Sequence, residues 1–163
     1  MIGKFSPKFN SANKVCPVKY LDYKLQFDGC SKGNPGLAGA GAVIYKGSEE
    51  IWASSLYIGE KITNNHAEYA GLILGLEQAL KMNIKVLMVE GDSMLIINQV
   101  TGLYQVKSPS LLNLYKKSKE LEGQFDEIYF THIYRNKNSR ADELSNIAIK
   151  EYVELQNQND NQK

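Results

Sequence analysis

No stretch of the chain approaches the ~18–20 consecutive apolar residues that span a bilayer, and the opening Met1-Ile2-Gly3-Lys4-Phe5 lacks the apolar core of a secretory signal. No membrane partner is expected, and the location expected is intracellular, cytoplasmic or nuclear. Cysteine is scarce. Cys16 and Cys30 are the only two, too few for a disulfide framework and without the clustered spacing of a zinc site, so both are read as free thiols. Arginine is missing from residues 1–20, which carry Lys4, Lys8, Lys14 and Lys19 and no acid. This favours a basic flexible arm over a mitochondrial presequence. A charge excess of one sign is missing as well. The 19 Lys and Arg against 18 Asp and Glu leave a net charge of +1, which excludes a chain that holds a polyanion by being basic all over. Any nucleic acid must be gripped locally.

What is present is enough for one domain: 163 residues with 43% apolar content can bury a core. The reading divides them into the arm at 1–20, a folded domain at 21–155 and a disordered polar tail at 156–163, which is rich in Gln and Asn. Residues 23–27 alternate as a strand, and a turn-rich loop follows, punctuated by Gly33, Asn34, Pro35 and Gly36. Residues 40–45 and 50–58 read as two more strands of an antiparallel meander. A largely apolar helix is predicted at 64–82, a strand at 85–90, helices at 93–100 and 109–120, a fifth strand at 127–133 and a last helix from Ser139 to about Leu155. The order βββαβααβα specifies an α/β fold, a mixed sheet covered by helices on both faces.

Four carboxylates stand at the ends of these elements, and each has a structural explanation. Asp28 precedes Gly29, a common turn pair. Glu68 closes Asn65-His66-Ala67-Glu68 and Asp142 closes Ser139-Arg140-Ala141-Asp142, both capping-box patterns. Asp92 opens a helix, where Asp is a favoured N-cap. Their placement suggests something more. If the first and fourth strands are parallel neighbours, Asp28 and Asp92 converge where α/β sheets bind ligands, and helix packing can bring Glu68 and Asp142 there. Four clustered carboxylates need cations to remain ionised, and hard oxygen donors suit Mg²⁺ or Mn²⁺.

The segments Phe27-Asp28-Gly29-Cys30-Ser31-Lys32-Gly33-Asn34-Pro35-Gly36, Thr63-Asn64-Asn65-His66-Ala67-Glu68, Gly91-Asp92-Ser93 and Arg140-Ala141-Asp142-Glu143-Leu144, in this order, resemble ribonuclease H of type 1. That family cleaves the RNA strand of RNA–DNA hybrids. The resemblance implies a ribonuclease H-like fold with a five-stranded mixed sheet, three strands antiparallel and then two parallel. It implies that Asp28, Glu68, Asp92 and Asp142 are catalytic and bind metal, two Mg²⁺ ions or else Mn²⁺, with Asp28 bridging both. The implied chemistry is two-metal hydrolysis leaving 5′-phosphate and 3′-hydroxyl ends. His132, ten residues before Asp142, matches the family's mobile histidine, thought to move a proton or release product. Its bland alternative is a solvent-facing histidine at a strand end. His66 reads better as helix-end packing or a rim contact than as a catalytic base. Backbone N–H groups around Gly29, Cys30 and the glycines at 33 and 36 would approach phosphate or ribose oxygens. Asn34 and Thr63 would hold a DNA-strand phosphate, and Asn64 and Asn65 would reach the minor groove. Plain turn chemistry also accounts for Asn34.

The departures are specific. Met94 stands where many bacterial members carry an RNA-contacting Gln, and Cys30 replaces the usual Ser after Asp-Gly. The span between Asp92 and Pro109 is too short for the basic handle that bacterial and human-type members use, and resembles the handle-less plant-like and archaeal-like branch. Lys107, Lys116, Lys117 and Lys119 could partly substitute, or could simply form a solvated face. The expected partner is an RNA–DNA hybrid, bound by a monomer. The rival readings are a non-catalytic hybrid- or dsRNA-binding module of the same fold, and a 3′ to 5′ exonuclease, which expects an Asp-x-Glu motif that Asp28-Gly29-Cys30 does not supply. If metal balances four of the 18 acids, 14 remain against 19 basic residues, so hybrid should be held poorly without divalent ions.

Overall fold

In the computed structural model, β1 (Tyr23–Lys32), β2 (Gly36–Lys46) and β3 (Glu49–Ile62) pair antiparallel. Then come α1 (Asn64–Lys81), β4 (Val86–Gly91), α2 (Met94–Val100), α3 (Pro109–Glu122), β5 (Glu127–His132), a single 3-10 turn at Arg135–Lys137 and α4 (Ser139–Asn161). The structure describes residues 21–163; the basic arm at 1–20 and Cys16 lie outside them. The sheet order is β3-β2-β1-β4-β5, with β4 parallel to β1 and β5 parallel to β4. This is the mixed sheet expected.

Its two faces are covered differently. Leu25, Phe27, Ala42 and Ile44 join Tyr69, Leu72 and Leu76 of α1, together with Ile96, Leu111 and Phe125, in the main core. On the opposite face Val43 packs against Ala141 and Leu144 of α4. Each helix can come close because the residues beneath it are small. A Cβ on Gly41 would lie 2.4 Å from the Ala141 carbonyl oxygen, and one on Gly39 would lie 2.2 Å from that of Ser145. On the other face, a Cβ on Gly71 of α1 would lie 2.4 Å from the Asp28 carbonyl oxygen. A buried hydrogen bond of 2.7 Å from the Tyr69 hydroxyl to Gln99 Oε1 ties α1 to α2.

Several boundaries differ from the sequence reading, β2 beginning at Gly36 rather than 40 and β3 running on to Ile62 rather than 58. β1 does not stop at Phe27; it continues to Lys32, because the Asp28-Gly29 pair lies within the ladder opposite Gly41 and Ala40. The turn is confined to Gly33-Asn34-Pro35, where Gly33 has φ +118° and Asn34 φ +31°, left-handed conformations that Gly and Asn tolerate. The last helix ends at Asn161 rather than Leu155. The polar stretch expected as a disordered tail extends α4, since it contains no Gly or Pro to stop a helix and its Gln residues are good helix formers. Residues 156–163 are all exposed. Among the described residues no helix is long and apolar enough to cross a membrane.

Candidate active site

The register of β1 builds the site. Its last pair with β4 is Phe27 with Gly91, and β1 then runs on for the residues from Asp28 to Lys32 without β4 beside it. That open edge is where groups from both faces of the sheet meet. Asp92 follows directly on the end of β4. Glu68 arrives from the α1 face, held there because Gly29 has no side chain: a Cβ on Gly29 would lie 2.1 Å from the Ala67 carbonyl carbon and 2.3 Å from the Glu68 nitrogen. Asp142 arrives from the α4 face, in the helix's first turn.

One oxygen each from Asp28, Glu68 and Asp92 lies within 4.8 Å of the others. Asp142 joins through Asp28, whose carboxyl it lies close enough to perturb, as Glu68 does. Asp28 is 4% exposed and Glu68 8%. Burial, and next the charge of Asp92, push the Asp28 carboxyl up to about 7. Burial, and next the charge of Asp28, raise Glu68 well above the ordinary carboxylate range. Glu68 Oε2 is buried with no hydrogen-bond partner among the described residues. A set of oxygen donors alone, two of them buried and one orphaned, fits a hard divalent cation: the ion would satisfy the acceptor and relieve the repulsion that raises both acids.

The structural explanations offered for the carboxylates are not realised. Asp28 lies inside a strand, not in a turn, and its Oδ1 accepts from the Gly29 N–H at 2.8 Å. The α1 cap is Thr63, whose Oγ1 accepts from the His66 N–H at 3.2 Å, so Glu68 lies beyond the first turn. The α2 cap is Ser93 rather than Asp92. The α4 cap position is Asn138, with no side-chain capping bond, so Ser139 and Asp142 form no capping box.

His132, at the end of β5, directs Nε2 to the Asp92 carbonyl oxygen at 3.2 Å, which makes Nε2 the protonated nitrogen. Its ring meets Tyr134 edge-on at 5.9 Å. Asn34, Thr63 and Asn64 gather at the start of α1. Asn34 Oδ1 accepts from the Asn64 N–H at 2.9 Å, and Asn64 Oδ1 accepts from the Ser31 N–H at 2.7 Å. Both acceptors are thus occupied within the chain, and the two amide NH₂ groups face an exposed rim as donors. Asn65 and Cys30 are half-buried. Cys30 Sγ makes its contact with Asn146 Oδ1 at 3.8 Å and is a free thiol.

Two residues near the carboxylates went unnoticed in the sequence. Asn146 donates to the Asp142 carbonyl oxygen at 2.9 Å and accepts from Lys32 Nζ at 2.7 Å. Asn138 donates to Asp92 Oδ2 at 3.0 Å. Their spacing from Asp142, four residues after and four before, is the only available signal. Gly29, expected to offer its backbone to substrate, has a packing role as well, and Gly29→Ala should move α1 and Glu68 away from β1. Overpacking of this kind costs about 1–3 kcal/mol or more, to be measured as a lower midpoint of thermal unfolding; an unchanged midpoint would contradict the close crossing.

The comparisons with known proteins agree with this geometry. The family model described as reverse transcriptase-like matches residues 26–148. A bifunctional protein of Mycobacterium tuberculosis, Rv2228c, is 40% identical over 126 residues, which are 77% of this chain and 35% of that protein. Ribonuclease HI of Halobacterium salinarum is 39% identical over 123 residues, 76% of this chain and 62% of that protein. The chain thus spans about a third and under two thirds of these two relatives. Among solved structures, LC11 ribonuclease H1, isolated from compost by a metagenomic approach and crystallised with an RNA/DNA hybrid, superposes with a TM-score of 0.76 at 40% identity. That match covers 80% of this chain and 99% of that one.

Proposed function

The chain belongs to the reverse transcriptase-like family of type 1 ribonucleases H, and from that membership we propose that it is an endonuclease hydrolysing the RNA strand of RNA–DNA hybrids. The observation that carries the proposal is the meeting of Asp28, Glu68 and Asp92, with Asp142 joined through Asp28, at the open edge of β1. Asp28, Glu68, Asp92 and Asp142 would hold two divalent ions, Mg²⁺ or else Mn²⁺. When bound, such ions supply a water of lowered pKa and charge stabilisation at the leaving 3′-oxygen, giving 5′-phosphate and 3′-hydroxyl products.

The protein's own groups do the rest. Asp28, inside β1 directly after the residue paired with β4, interacts with the other three carboxylates and would be the centre of the set. His132, bonded to the Asp92 main chain, would move a proton once that bond is released. The free NH₂ donors of Asn34 and Asn64, the Thr63 hydroxyl and Asn65 line one exposed rim at the start of α1, suited to phosphate and minor-groove oxygens. The N–H groups of Gly29 and Cys30 would serve the strand nearer the carboxylates, where contacts to the 2′-hydroxyl distinguish RNA from DNA. One chain supplies all four carboxylates, so a monomer would suffice.

The test is Mg²⁺-dependent cleavage compared across labelled hybrid, dsRNA and dsDNA. Cutting of the RNA in hybrid alone is expected; binding without cutting by intact, metal-saturated protein would favour the non-catalytic module. Affinity supplies a second measurement. Lys119 is held by Glu122 at 2.6 Å and by the Val100 carbonyl oxygen at 3.0 Å, so it is removed from the lysines that would replace a handle. With about three or four phosphate contacts left, hybrid affinity should fall roughly 10- to 100-fold between 50 and 200 mM salt. Salt-insensitive binding would contradict this.

A further inference from the structure

Asn138 breaks two local rules at once. It occupies the N-cap of α4, where an asparagine side chain ordinarily accepts from its own helix, yet it makes no capping bond. Instead its Nδ2 donates to the Phe27 carbonyl oxygen at 2.9 Å and to Asp92 Oδ2 at 3.0 Å. It is 0% exposed, and its Oδ1 is buried with no hydrogen-bond partner among the described residues. Forgoing the cap and burying an unpaired acceptor both cost stability, and local rules broken in this way mark functional positions.

What those costs achieve is visible in the partners. Phe27 precedes Asp28, and its pair Gly91 is the last residue of β4. Asn138 therefore binds β1 at the point where β4 leaves the sheet, and it binds Asp92 immediately after that point. The Asp92 main chain is held from the other side by His132. Asp142 follows Asn138 by one helical turn, its N–H bonded to the Asn138 carbonyl oxygen at 3.1 Å. One amide thus joins the strand carrying Asp28, the side chain of Asp92 and the helix carrying Asp142.

We infer that Asn138 is a positioning residue that presets the Asp92 carboxylate and the start of α4 against β1 for divalent-cation binding. This rests on the metal-dependent reading above. Asn138 touches no substrate; it acts through Asp92 by fixing which oxygen is turned away and which is left for the ion, as outer-sphere partners of metal ligands do.

The test uses Asn138→Ala and Asn138→Ser in the full chain. Serine is a favoured N-cap and protects α4 while removing the reach to Asp92. Mn²⁺ titration by calorimetry should show affinity weakened roughly 10- to 100-fold in both variants. Cleavage should show a lower kcat with the KM for hybrid unchanged. In an Asp92→Asn background, adding Asn138→Ser should weaken Mn²⁺ binding little further, because both changes act on one interaction. Several outcomes overturn the inference: wild-type Mn²⁺ affinity in Asn138→Ser with only a lower melting temperature, full additivity with Asp92→Asn, or loss of the fold in both variants. If the wild type itself binds no divalent ion, the metal-dependent reading falls and this inference falls with it. A wild type that binds and variants that bind equally well defeat this inference alone.

Discussion

Replacing Asp28 by asparagine is expected to lower hybrid cleavage by about a thousandfold or more, and to raise the melting temperature of the same protein when metal is absent. The activity loss follows from the position of Asp28. It is buried and interacts with the other three carboxylates, so its charge would contribute most to holding a cation there. A thousandfold corresponds to about 4 kcal/mol of transition-state stabilisation, a fair share of what divalent ions contribute to phosphoryl chemistry. The gain in stability follows from the same burial. Asparagine keeps an acceptor for the Gly29 N–H that Asp28 Oδ1 now receives at 2.8 Å, fills nearly the same volume and removes a charge that both burial and Asp92 disfavour. Hybrid cleavage in excess Mg²⁺ and thermal unfolding in a chelator measure the two effects. Unchanged cleavage would remove Asp28 from the chemistry. Lost cleavage with a lower metal-free midpoint would mean that asparagine had only damaged the fold.

Much of this was legible in the residues alone. The element order and the mixed sheet follow from hydrophobic periodicity, the two parallel strands after the meander from the resemblance to type 1 ribonucleases H, and the convergence of Asp28 with Asp92 from the condition that the first and fourth strands are parallel neighbours. What was misread has a common form: local patterns were taken for structures that their context does not form. Asp28-Gly29 has the form of a turn, but Gly29 is small because α1 crosses it, not because the chain reverses. The polar stretch after Leu155 has the composition of a coil, but nothing in it stops α4. Ser139-Arg140-Ala141-Asp142 has the spacing of a capping box, while the residue at the cap, Asn138, faces away toward Phe27 and Asp92. A buried side chain committed to partners 46 and 111 residues away leaves no periodic trace, so Asn138 could be found only in three dimensions.

The metal-free protein should lose stability as pH rises from about 4 to 7, and Mg²⁺ should restore it. Asp28 has its folded carboxyl raised from 3.8 to about 7, and Glu68 is raised for the same reasons, burial first. An acid that binds its proton more tightly when folded favours the folded state most at low pH. That advantage is complete below the unfolded value near 4 and disappears as pH climbs through the folded value near 7. For Asp28 the swing is on the order of 4 kcal/mol at most. In a protein of this size it corresponds to a fall in melting temperature of roughly 5–15 °C between pH 4.5 and 8, set against any contribution from other groups. If Mg²⁺ binds the folded, ionised cluster as proposed, at pH 8 a concentration about 100 times its dissociation constant should return about 2.7 kcal/mol. At pH 5, where Asp28 holds its proton, the same Mg²⁺ should return little. Melting temperatures at the two pH values, with chelator and with Mg²⁺, give four numbers, and Asp28→Asn repeats them with the central charge removed. If the wild-type increment from Mg²⁺ is the same at pH 5 as at pH 8, the ions are not bound by these carboxylates. If Asp28→Asn retains the full pH dependence, the instability of the metal-free chain has another source.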